Sequence, residues 1–172
     1  MITELSFINF KSWKQVDKMR LAPITGLFGT NSSGKTSIFQ LLLLIKQTVE
    51  STDRLQVLDF GNEKSPANLG SFRDVVYSHE TPGKLEWSID WRLSQALKVK
   101  RPEDKNADLF VGEDVGFSVR IEENEKKRLI VNQLTGLAWW SGQVFVPAQV
   151  EGNGMNGRRP DRLCSPVLPA QV

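Results

Sequence analysis

Gly29-Thr30-Asn31-Ser32-Ser33-Gly34-Lys35-Thr36 is the stretch on which the reading of this 172-residue chain turns. It fits the pattern G-x-x-x-x-G-K-[ST] at every fixed position, the arrangement of a loop that wraps the phosphates of a nucleotide. The two glycines permit backbone angles that a side chain forbids, and they let the main chain approach an anion closely. Backbone N–H groups along Gly29, Thr30, Asn31, Ser32, Ser33 and Gly34, with the positive end of a following helix, then converge on one anion. Lys35 is placed to reach the β- and γ-phosphates, and the Thr36 hydroxyl to bind a Mg²⁺ ion bridging them.

The flanks fit that chemistry. Pro23-Ile24-Thr25-Gly26-Leu27-Phe28 reads as an extended apolar strand delivering the loop, with Pro23 at its first residue, where no ladder bond is lost. From Lys35 to about Val49, apolar residues at 38, 41, 42, 45 and 49 trace one helical stripe, widened by Phe39, Leu43 and Leu44. A helix so apolar is expected to be covered on most sides, as in an α/β sandwich. The bland alternative is a chance match in a turn that merely caps a helix. The strand before and the apolar helix after favour a nucleotide. No Asn-Lys-x-Asp guanine reader follows, so ATP is the expected triphosphate and Mg²⁺ its metal.

Composition narrows little beyond this. There are 22 basic and 20 acidic side chains, a net charge of +2, which argues neither for nor against nucleic acid. One cysteine, Cys164, and one histidine, His79, rule out an intrachain disulfide and a Cys- or His-based metal cluster made by this chain alone. The single thiol suits a reducing, cytoplasmic setting. No apolar run reaches the ~20 residues of a bilayer span, and no signal-peptide pattern opens the chain.

Around the loop, Ile2 to Ile8 reads as a first strand, and Val16 to Leu21 as a second, antiparallel to it. Leu69 to Val76 is either a short helical turn or a strand. Lys84 to Trp91 alternates Leu85, Trp87, Ile89 and Trp91 against polar residues, the period of a half-buried strand with both tryptophans on its core face. Arg92 to Asn106 is charged and reads as an exposed excursion. Val115 to Ile121 alternates again, Glu122 to Lys127 forms a hairpin tip, and Arg128 to Val131 is the returning strand. Trp139-Trp140 and Val144-Phe145-Val146 are the last apolar elements, with core packing favoured over base stacking for the tryptophans. Residues 1–150 therefore read as one domain, and 151–172 as a flexible Gly/Pro-rich tail.

Hydrolysis usually needs an apolar strand ending in a carboxylate. Leu55-Gln56-Val57-Leu58-Asp59 and Leu85-Glu86-Trp87-Ser88-Ile89-Asp90 are the nearest candidates, and neither has the continuous apolar run of a central parallel strand. The expectation is the nucleotide-binding front part of something longer.

Ile2 to Trp13 followed by Phe28 to Ser37 resembles the opening of ABC-type ATPase heads, the group of RecF, SMC and OLD-like ATPases. Asn31 to Ser37, Leu41 to Thr48 and Leu69 to Asp74 are most similar to bacterial AAA-family ATPases with a DUF3696 C-terminal region. The likeness covers roughly residues 1–80. It implies an α/β P-loop NTPase fold of the ABC-head type, with a mixed sheet and an N-terminal antiparallel β element, here truncated. It implies that Lys35 and Thr36 act on phosphate and Mg²⁺, with Lys35 the catalytic residue. Asn31, Gly34 and Ser37 would complete the cradle, and Lys11 and Ser12 would lie near the nucleotide. Such heads form homodimers around ATP and release on hydrolysis, in DNA-linked repair or phage defence, some with a nuclease partner and none in a membrane. Their signature segment, acidic strand, switch histidine and Mg²⁺-sensing Gln have no assignable counterpart here; Gln40 and Gln47 lie within the helix, and Gln56 is a guess.

Three functions follow from these residues. The first is a Mg·ATP-binding domain that hydrolyses ATP only in complete, dimeric form. The second is a non-catalytic remnant that binds nucleotide or a partner without turnover. The third is a small P-loop kinase using the Arg92–Lys105 stretch as a lid.

Overall fold

The computed structural model describes residues 1–53, 55–79, 82–100, 104, 106, 108–140, 143–145 and 149–151. The alternating patterns become strands that all pair antiparallel. Strand β1 (Ile2–Phe10) pairs with β2 (Trp13–Arg20) on one side and with β3 (Lys84–Lys100) on the other. Next come β4 (Asp108–Glu123) and β5 (Leu129–Trp140), with the short β6 (Gln143–Phe145) and β7 (Gln149–Glu151) both pairing with β5. The result is a seven-stranded sheet of order β2-β1-β3-β4-β5-β6, with β7 set against β5. Its five long strands, β1 to β5, carry the fold. Among the described residues, two α-helices accompany them, α1 (Lys35–Glu50) and the four-residue α2 (Phe72–Val75), with a 3₁₀ turn at Tyr77–His79.

Period two puts Leu5 and Phe7 on one face of β1, opposite Ile89 and Trp87 of β3, and Val119 and Ile121 of β4 follow in register. All six are buried. Helix α1 lays Ile38, Leu41 and Leu44 into this same cluster, with Phe72 and Val75 of α2, and Phe7 meets Phe10 edge-on at 6.3 Å. The opposite sheet face is polar. There Arg120 donates two hydrogen bonds to the Glu86 carboxylate, at 2.8 and 3.2 Å.

This architecture corrects the expected fold. The sheet is antiparallel throughout its described pairings, so the α/β P-loop fold of ABC-ATPase-head type with a mixed sheet is not what the chain forms. The decisive departure is Pro23 to Phe28, which is not a strand. A parallel strand must be covered on both faces, yet Ile24 is 92% and Phe28 94% exposed. The Thr25 hydroxyl also bonds the Ala22 N–H and C=O, a local turn that competes with strand pairing.

The helix is where the sequence placed it, but it is covered on one side only. Phe39 and Val49 stay exposed, and Leu42, Leu43 and Ile45 are half-buried. From Arg92 to Lys100 the charged stretch is mostly exposed, as expected, but it is no excursion there: β3 continues to Lys100 and pairs with β4, while residues 101–103 and 105 lie outside the described residues. A two-stranded ribbon needs no apolar periodicity to close its backbone hydrogen bonds, so the pattern gave no sign of it. Trp87 is in the core and Trp91 half-buried against Phe117, with ring centroids 5.9 Å apart. Trp139 and Trp140 lie in β5. The tail expected over 151–172 lies, apart from Glu151, outside the described residues, as does Cys164.

Candidate phosphate-binding site

Helix α1 begins at Lys35 because Gly34 turns the chain into it with φ 83°, a left-handed angle costly to any side chain. A second constraint acts at the same atom. A Cβ on Gly34 would lie 2.5 Å from Ser12 Oγ and 2.8 Å from Trp13 Nε1. The glycine therefore serves both the turn and a close approach by the β1–β2 connection. Ser32, with φ 64°, is also held in the left-handed region, an uncommon state for a residue with a side chain.

Within this turn the Lys35 ammonium is folded back into the loop. Nζ donates to Gly29 O at 2.7 Å and Thr30 O at 2.6 Å, with Ser33 Oγ at 3.3 Å. The Ser33 N–H donates to Thr30 O at 3.3 Å, and the Ser37 N–H to Gly34 O at 3.0 Å. Ser12, Asn31, Ser32, Ser33, Gly34, Lys35, Thr36 and Ser37 line an open cavity of about 360 Å³. Its side chains are hydroxyls, one amide and one ammonium, a donor-rich lining suited to an anion.

The structure thus brings together most of the residues that the sequence singled out. Ser12 joins them from the β1–β2 connection, with its Oγ 3.2 Å from Ser37 Oγ. Gly29 and Thr30 contribute through the carbonyls that hold Lys35. Lys11 is not on the cavity lining. Its backbone N–H donates to Val75 O at 2.7 Å. Burial pulls its ammonium below the usual lysine range, and the Asp74 carboxylate partly offsets this. Asp74 is held below the usual carboxylate range, first by the hydroxyl and then by the backbone N–H of Ser71, in the capping box that starts α2.

The carboxylates considered for catalysis lie elsewhere. Asp59 is tied to the far end of α1: its N–H donates to Thr48 Oγ1 at 3.0 Å, and its carbonyl accepts from Gln47 Nε2 at 2.5 Å. Sixteen helical residues put roughly 24 Å between the two ends of α1. Asp90 lines a separate recess with Thr3, Glu4, Lys18, Arg20, Leu21, Arg92 and Asp114. Gln47 is buried in that distal contact, and Gln56 is exposed. Among the described residues, no group of three or more His, Cys, Asp and Glu side chains could hold a metal. A Mg²⁺ ion held through one threonine hydroxyl, substrate phosphates and water needs no such group, and Thr36 offers the hard oxygen it prefers. Nor is any described helix long and apolar enough to cross a membrane.

Sequence reasoning gave no role to one residue at the site. Trp13, the first residue of β2, donates its indole N–H to Gly34 O at 2.9 Å. Spacing carries no trace of this, because the two residues meet only through the tertiary fold. Comparison with protein-family models finds no match for the chain, and comparison with curated proteins finds no significant one.

Proposed function

We propose that the loop from Gly29 to Ser37 binds the triphosphate of Mg·ATP. The observation that carries this reading is one donor-lined cavity entered by Ser12 and residues 31–37, with the Lys35 ammonium poised inside the loop. On binding, that ammonium exchanges the carbonyls of Gly29 and Thr30 for phosphate oxygens, and the Thr36 hydroxyl takes the metal. The preference for ATP rests on the missing guanine reader.

Binding without turnover is the form of this function that we favour. Among the described residues, those lining the cavity include no aspartate or glutamate to order an attacking water. Dimerisation, a nuclease partner, DNA-linked work and a cytoplasmic setting rest on the likeness and composition of the sequence alone.

The test is calorimetric titration of the chain with Mg·ATP, together with phosphate-release and phosphate-transfer assays. Wild type should bind, and Lys35→Ala should raise Kd at least ~100-fold, the loss of a charge-assisted contact to phosphate. Unchanged affinity in Lys35→Ala would sink the site. Lysine-dependent release of phosphate would reinstate the hydrolase reading, and transfer to an acceptor would favour the kinase.

A further inference from the structure

The β1–β2 connection is strapped to the phosphate-binding loop at two points, and to the end of α2 at a third, that no motif encodes. Trp13 Nε1 donates to Gly34 O at 2.9 Å, Ser12 Oγ lies 3.2 Å from Ser37 Oγ, and the Lys11 N–H anchors the connection to Val75 O at 2.7 Å. The strap is itself fixed, because Trp13 is in register with Phe10 across β1 and β2, and Phe10 is fully buried. Half-buried Trp13 also packs against the main apolar cluster.

Gly34 O accepts two hydrogen bonds, from Trp13 Nε1 and from the Ser37 N–H at 3.0 Å. The Gly34 C=O and the Lys35 N–H belong to one trans peptide plane and point in opposite directions. Clamping the carbonyl on the indole side therefore aims the Lys35 N–H the other way, where it can donate to an anion. The glycine makes the clamp accessible, since a Cβ there would collide with both Ser12 and Trp13.

We infer that Trp13 is a positioning residue for the phosphate cradle: its indole N–H fixes the Gly34–Lys35 peptide so that the loop's backbone donors are set before a triphosphate arrives. This rests on the triphosphate-site reading and adds to it a part of the sheet that holds the loop in its binding geometry. Preorganised donors bind an anion more tightly than donors that must first be ordered.

Trp13→Phe keeps an aromatic ring against the core and deletes the donor together with part of the indole's area. Titration with Mg·ATP and, separately, with inorganic triphosphate should show Kd raised roughly three- to tenfold for both, the worth of one hydrogen bond. An equal loss with the two probes marks an effect on the phosphate cradle and not on base recognition. A second measurement needs no variant. In the ¹⁵N-labelled wild-type chain, the assigned indole resonance of Trp13 should move on addition of Mg·ATP, while that of core-buried Trp87 stays in place. An unmoved Trp13 resonance, or an unchanged Kd in Trp13→Phe beside lost binding in Lys35→Ala, overturns the role of Trp13 and leaves the site standing. Absence of binding by the wild-type chain overturns both.

Discussion

The sheet and the loop of this molecule satisfy their backbones in opposite ways. Along β1, β3 and β4, carbonyls and N–H groups are paired across neighbouring strands, and one face is sealed by α1 and α2. From Ala22 to Ser33 the chain is exposed at almost every residue, and turns and the Lys35 ammonium do the pairing instead. The sheet excludes water, whereas the loop stays open to it and, in the proposed function, would exchange its own partners for phosphate. Stability and binding should therefore separate: damage to the sheet's core should unfold the chain, and damage to the loop should cost affinity while the fold persists.

The largest expected effect tests the first half of that division. Phe7 is 1% exposed at the centre of the cluster. Phe7→Ala leaves a cavity among Phe10, α1 and β3, and should destabilise the chain by about 3–5 kcal/mol in denaturant titration. Loss of much less would mean that the core is looser than its burial implies. In Lys35→Ala, by contrast, the large loss of affinity should come with a Tm close to wild type, because the hydrogen bonds given for the Lys35 ammonium lie within the loop. A Tm that collapsed with the affinity would break the division.

Gly34→Ala sits on the border between the two regions and should blur them. The left-handed φ and the approach of Ser12 and Trp13 both resist a methyl group. The substitution should lower stability by about 1–3 kcal/mol and weaken Mg·ATP binding together. Thermal melts alongside titration read both effects. Intact stability would show that the β1–β2 strap yields easily, and would weaken the case for Trp13 as a fixed clamp.

The same contrast explains what the sequence disclosed. The strands in Ile2–Ile8, Lys84–Trp91 and Val115–Ile121 and the helix from Lys35 were legible because one buried face imposes a period of two or 3.6. The turn from Gly29 to Gly34 into α1 was legible because its residue types are set by local backbone angles and short reach. Pro23 to Phe28 carries apolar residues that suggest a buried strand, but the turn closed by Thr25 and Ala22 leaves Ile24 and Phe28 in solvent. The mixed sheet, which the resemblance to ABC-type heads implied, fails with that strand, because every described pairing is antiparallel. Trp13 was invisible for a different reason. Its partner lies 21 residues away, and only the folded hairpin brings the indole to Gly34.

The smallest effect lies at the rim of the sheet, where pairing continues but water is near. Arg92 Nε donates to Asp114 Oδ1 at 2.7 Å and Nη2 to Oδ2 at 2.9 Å, across β3 and β4. The hydrogen bond from Arg92 holds the Asp114 carboxyl below the ordinary aspartate range. A depressed folded pKa contributes stability above the unfolded value, near pH 3.9 for aspartate, and that contribution is lost as pH falls through the folded value. Asp114→Asn should therefore lower the Tm slightly at neutral pH, with the gap to wild type closing in acid below about pH 4. The side chains are 61% and 39% exposed, so solvent screening keeps the effect well below that of any core substitution. Mg·ATP affinity should not change, because neither residue lines the loop cavity. A gap that widened in acid would mean that Asp114 is stabilised by being protonated, and a drop in affinity would tie the sheet's rim to the loop by a route other than the strap at Trp13.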